Sequence, residues 1–127
     1  MSSEDYQEAW ESSDLTVRLR RLSSGTTIVD VVGAVRGQGA TALRQRLNEE
    51  VIGSAQRIIV ELSEVTLIDG QGIDALRSGA EIAGETDVGF CLVAPAHGPV
   101  TQAFAAARVS ELFETFASIG AALQNCG

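Results

Sequence analysis

Residues able to perform hard chemistry are scarce in this sequence. It has one histidine, His97, and two cysteines, Cys91 and Cys126. A catalytic triad needs a nucleophile and a carboxylate around its histidine. The turn "APAHGP" around His97 offers neither, and no GxSxG elbow is present. No His, Cys, Asp or Glu set shows metal-ligand spacing. His97 reads as a loop residue, and no catalytic residue, metal site or cofactor is expected.

Cysteine is too rare for a small disulfide-built secreted scaffold. Cys91 lies inside "VGFCLVA", which reads as a buried strand, where a thiol behaves as a small inert hydrophobe. Cys126 is next to last, in a tail expected to be mobile. A disulfide between the two is not expected.

Apolar runs are short: no segment approaches the ~20 residues of a membrane span. No charged-then-apolar leader opens the chain, so a cytoplasmic location without membrane insertion is expected. Basic residues are few, 9 against 17 acids, for a net charge of −8. That balance disfavours nucleic acid and anionic lipid, which need a basic face, and it suits a protein partner.

What is present is a core. The chain has 127 residues, 45% of them hydrophobic, enough for one domain that buries roughly two thirds of its unfolded surface. "MSSEDYQEAWESS" has four carboxylates and no base. Residues 1–13 read as an acidic flexible tail in which Trp10 docks, stays exposed or ends a short binding segment, with the domain at 14–127. "DLTVRLRRL" alternates apolar and polar residues, which predicts a half-exposed strand. After the "SSG" turn, "TTIVDVVGAV" predicts a second strand and a hairpin.

The period then changes. In "GQGATALRQRLNEEVIG", Leu43, Leu47 and Val51 recur every four residues, an amphipathic helix stopped by Gly53. "RIIVELS" predicts a buried strand and "EVTLIDGQG" a loop. "GIDALRSGAEIAG" predicts a helix burying Ile73, Leu76, Ala80 and Ala83. "DVGFCLVA" predicts a strand, and the following segment a helix with Pro99 at its first position and Val100, Phe104 and Ala107 on one face. "LFETF" predicts a short edge strand and "SIGAALQ" a last helical turn or two. The fold class is therefore α/β: a mixed, mostly parallel sheet with an N-terminal antiparallel hairpin and about four helices.

The most distinctive constellation is "DGQG" at 69–72. Asp69 is placed to cap the following helix by accepting the N–H of Gly72 or Gln71. Two glycines in a first turn each cost about 1 kcal/mol relative to alanine and call for a reason. Close approach by another chain, anion attraction by free N–H groups, and tight packing on a neighbouring loop all remain open. Neither "GQG", at 37–39 or 70–72, continues into GxGxxG or GxxxxGKS/T, so both are read as turns.

Four stretches in this order resemble the STAS domains, the sulfate-transporter and anti-sigma-factor-antagonist family. "VDVVGAV" is similar to the family's second strand, which ends in Gly-Glu-Leu-Asp or a relative. "RIIVELSEVTLIDGQGIDAL" is similar to its strand, Asp-Ser-Ser-Gly turn and helix. "VGFCLVAPAHGPVTQAF" and "VSELFETF" are similar to the next strand–helix pair and the closing Leu-Phe pattern. The resemblance covers about residues 14–124.

In the family's anti-sigma-factor antagonists the second serine of that turn is phosphorylated by the anti-sigma factor, a kinase, and the added charge releases the partner. Here Asp69 and Gly72 keep the pattern, Gly70 stands at the first serine and Gln71 at the phosphorylated one. A carboxamide does not accept a phosphoryl group by that chemistry. Arg36, after Val35 in "GAVR", stands where many members have aspartate.

The resemblance implies a non-enzymatic regulator that binds an anti-sigma factor or related kinase. Its site would be Asp69, Gly70, Gln71, Gly72, Ile73 and Asp74, with Val35 and Arg36 on the partner-surface loop. Asp74, one turn past Gln71, is either an imitation of the phosphorylated charge or an ordinary acid beside Arg77. Ser63 and Thr66 are further hydroxyls, expected in a strand or packed loop. Two other functions stay open: a small-ligand or nucleotide-binding domain, and a STAS subunit of a transport assembly.

Overall fold

The computed structural model describes residues 8–12 and 14–126. Six strands form one sheet: β1 (Glu8–Ser12), β2 (Leu15–Arg21), β3 (Thr26–Val35), β4 (Arg57–Ile68), β5 (Gly89–Val93) and β6 (Glu114–Phe116). Four α-helices connect or follow them: α1 (Gly37–Val51), α2 (Gly70–Thr86), α3 (Pro99–Ala107) and α4 (Ile119–Asn125). A 3-10 turn, Ser110–Leu112, precedes β6.

Spatial order follows sequence order, β1-β2-β3-β4-β5-β6. The β1–β2 and β2–β3 pairs are antiparallel, and the β3–β4, β4–β5 and β5–β6 pairs are parallel. Three successive crossovers of one hand, advancing in one direction, lay their helices on one face. That face holds the main core: Val17, Leu19, Val29, Val31, Ile58, Val60 and Leu92 from strands meet Leu43, Leu47, Leu76 and Phe104 from helices. The opposite face carries a smaller cluster in which Ile28, Ile59, Cys91 and Val93 pack with Ala122 of α4.

The predicted sheet, hairpin and helices are all present, with three corrections. Residues 8–12, expected in a flexible tail, form edge strand β1 and extend the hairpin to three strands. Long-range ion pairs hold it there: Arg21 Nη2 donates to Glu8 Oε2 at 2.9 Å, and Arg46 also pairs with Glu8. Trp10 sits opposite Val17 and packs half-buried on the main core. The rest of the expected tail, residues 1–7 and 13, lies outside the described residues.

The second correction concerns "EVTLI", read as loop but folded as strand, because β4 runs on to Ile68. The third is that Cys91 and Cys126 are joined in a disulfide with Cα atoms 5.9 Å apart. Helix α4 folds back over the second face and carries the penultimate residue to β5, so Cys126 is buried. Within α3, Val100 and Phe104 are buried as expected, whereas Ala107 is exposed.

Candidate functional site

The site forms where β3 and β4 end. The Asp69 N–H donates to the Val35 carbonyl at 3.2 Å, tying the two strand ends together. Asp69 then caps α2: its backbone is extended, and its Oδ1 accepts the Gly72 N–H at 2.9 Å. This is the predicted cap, and it satisfies one of the unpaired donors of the first turn.

The two glycines have different reasons. A Cβ on residue 72 would stand 2.6 Å from Ile68 Cγ1 and 2.7 Å from the Val35 carbonyl oxygen, so tight packing demands glycine there. Among the described residues, a Cβ on residue 70 would meet nothing within 4 Å. Gly70 and Gln71 are exposed, and Gly72 and Ile73 are buried. The turn is therefore anchored by Asp69, Gly72 and Ile73, and it shows solvent the bare backbone of Gly70 and the carboxamide of Gln71.

Asp74 is exposed on the next turn, and its carboxylate lies 3.8 Å from Arg77 Nη1. Val35 is fully buried and supports the turn from beneath. Arg36 is exposed, caps α1 without a side-chain hydrogen bond, and donates from Nη2 to Asp14 Oδ2 at 2.9 Å. With both partners about half exposed, this pair contributes at most about 1 kcal/mol. Its larger effect is to offset the positive charge that Arg36 brings to the surface.

Beside the turn lies an open concavity of about 440 Å³, bordered by Asp14, Arg36, Gly37, Gly39 and Asp69. Ser63 and Thr66, expected to face strand or packed loop, are exposed on β4. His97 is exposed in the loop between β5 and α3. Cys91, Cys126 and Glu114 bring ligand atoms within 4.8 Å of one another, but the two sulfurs are bonded to each other.

Sequence reasoning missed two members of this surface. Asp14 becomes relevant only through its partner 22 residues away, which no local pattern announces. Leu67 is 40% exposed two residues before Asp69, in a stretch read from the sequence as loop. The remaining predicted residues, Asp69 to Asp74 with Val35 and Arg36, do come together at one end of the sheet.

The STAS domain family model matches residues 20–122. The chain belongs to the STAS domain family. Solved structures agree on the fold. An anti-sigma factor antagonist from Mycobacterium paratuberculosis superposes with a TM-score of 0.77 at 22% identity, covering 91% of this chain and 97% of that one. The unphosphorylated form of the Bacillus anti-sigma factor antagonist SpoIIAA gives 0.71 at 14% identity, covering 85% and 93%. A sulfate transporter family protein from Wolinella succinogenes gives 0.64 at 19% identity, covering 82% and 91%. At these identities the likeness is one of fold. A comparison with curated proteins gave no match.

Proposed function

We propose that this STAS domain is a non-enzymatic, cytoplasmic regulator that docks an anti-sigma factor or related kinase through Gly70, Gln71, Asp74 and the Arg36 loop. It is not phosphorylated at the turn. One observation carries the reading. The turn retains its anchors, the Asp69 cap and the close-packed Gly72, while residues 69–74 contain no hydroxyl. A phosphoacceptor has been replaced without loss of the shape that would present it.

Gln71 is neutral, polar and able to donate and accept hydrogen bonds, which resembles unmodified serine more than phosphoserine with its charge of about −1.5 to −2. Asp74 is a weak substitute for that charge, because Arg77 stands beside it. Arg36 is offset by Asp14. The electrostatics of the surface therefore favour a domain held permanently in its docking form.

The test is co-purification of the wild-type chain with anti-sigma kinases from the same genome, without ATP. A stoichiometric complex that is abolished by Gln71→Arg supports the reading. Absence of a complex with every one of them rejects it. The concavity beside Gly37 and Gly39 favours a second reading, a small-ligand or nucleotide-binding domain. A thermal-shift screen over nucleotides, anions and lipids checks it, since any ligand that prefers the folded state raises the melting temperature. The third reading, a subunit of a transport assembly, draws on the sulfate transporter family protein of like fold.

A further inference from the structure

We propose that Cys91–Cys126 is a reversible redox clasp that fastens α4 over the second face of the sheet, and that dithiol reductants open it. This goes beyond the proposed docking function and does not rest on it.

Among the described residues, the second face is a small core covered by α4 and flanked by Leu22 and Phe116. Ile28, Ile59, Cys91 and Val93 are each at most 2% exposed, and the helix over them is α4, only seven residues long. A helix that short does not persist without tertiary attachments. Two fix its C-terminal end. One is the disulfide. The other is Arg57, whose Nη1 donates to the carbonyl oxygens of Leu123 at 3.1 Å and Cys126 at 3.0 Å. A cation there also suits the negative end of the helix dipole. Arg57 needs no disulfide to make these bonds, so it returns Cys126 to Cys91 after reduction and favours re-closure.

The reaction balances as thiol–disulfide exchange. A thiolate of the reductant attacks the sulfur of Cys126, which is 7% exposed against 0% for Cys91, and the Cys91–Cys126 bond breaks. Cys91 leaves as thiolate and takes a proton from water. The second thiol of the reductant then displaces Cys126. The reductant has become a disulfide, and the protein has gained two electrons and two protons. Glu114 tunes the step. Its carboxylate oxygen lies 3.2 Å from the Cys91 sulfur, so it opposes negative charge on the leaving group.

The clasp lies at the far end of the sheet from the switch turn. Cys91 pairs with Ile59 near the start of β4, and Asp69 follows the end of that strand, a separation on the order of 30 Å at ~3.3 Å per residue. Opening the clasp uncovers Ile28, Ile59 and Val93 and leaves the turn in place.

The experiment uses the full chain in its oxidised form, treated with dithiothreitol and followed by hydrogen exchange, thermal melting and thiol alkylation counted by intact mass. Expected results are two alkylations after reduction, exchange in residues 119–125 faster by at least about tenfold, and a melting temperature lower by about 10 °C. Exchange at 69–74 stays unchanged. Removing the dithiol in the presence of a small disulfide restores the starting state. Cys126→Ser shows the fast α4 exchange with or without dithiol, and Glu114→Gln is reduced faster. Unchanged α4 exchange on reduction overturns the proposal, as does a bond that does not re-form. A Glu114→Gln reduction rate equal to wild type removes Glu114 from it.

Discussion

The carbonyl oxygen of Val35 lies 2.7 Å from where a Cβ on residue 72 would stand. Backbone of one strand end thus occupies the space a side chain would need at the start of α2. Gly72→Ala should destabilise the fold by about 1–3 kcal/mol, the usual range for overpacking, because the obstruction is backbone and cannot swing aside. Gly70→Ala meets no obstruction and should leave stability unchanged or raise it by up to about 1 kcal/mol, the helix preference of alanine over glycine. Urea denaturation of both variants checks the contrast.

Asp69 contributes through its cap. Asp69→Ala removes the acceptor of the Gly72 N–H and should cost about 1 kcal/mol. Asp69→Asn keeps an oxygen at the same place and should lose a few tenths. Because the cap sets the angle of the turn, Asp69→Ala should also weaken partner binding more than Asp69→Asn. A binding titration beside the unfolding curves separates the two effects.

Glu50 gives the stability a predictable pH dependence. Burial pushes its carboxyl upward. Hydrogen bonds from Arg21 and Thr27 and the charges of Arg21 and Arg46 outweigh that push, so it sits below the ordinary glutamate value of 4.5. Arg21 holds it through Nε and Nη2, both at 2.9 Å. A carboxyl lowered by folding stabilises the protein above its unfolded value, and that contribution is lost as pH falls through the folded value. Glu50→Gln should therefore be less stable than wild type at about pH 7, with the gap closing below 4.5. Denaturant midpoints measured across that range decide it.

Much of this was legible from periodicity. Leu43, Leu47 and Val51 mark α1, and Asp69 followed by apolar residues three and four apart, Ile73, Leu76, Ala80 and Ala83, marks the start of α2, with Ala80 only partly buried. What escaped depended on distance. β1 has no local signature, because Glu8 is held by Arg21 and Arg46, 13 and 38 positions away. The last part of β4 escaped for a different reason. Register shifts opposite Asp30–Val32 and Gly33–Ala34 leave Ser63 and Glu64 exposed together, then Thr66 and Leu67. The two-residue alternation that announces a strand is broken there.

Gly33, at φ +107° and with the Asp14 carbonyl oxygen 2.2 Å from a would-be Cβ, belongs to the same irregularity. The disulfide escaped because only the return of α4 over the second face brings residue 126 to residue 91. Of the candidate site, the anchors were legible as cap chemistry. The separate duties of Gly70 and Gly72 needed coordinates.

The most direct measurement compares wild type with the Gly70→Ser, Gln71→Ser double variant, each mixed with the same anti-sigma kinase and then given ATP. Complex retention and intact mass are followed together. Gly70 has open space around it and Gln71 is exposed, so both serines are accommodated. The account predicts that both proteins bind, that only the double variant gains one phosphate of about 80 Da, and that only the double variant is released. Phosphorylation and release of wild type, or binding by the double variant alone, would contradict it.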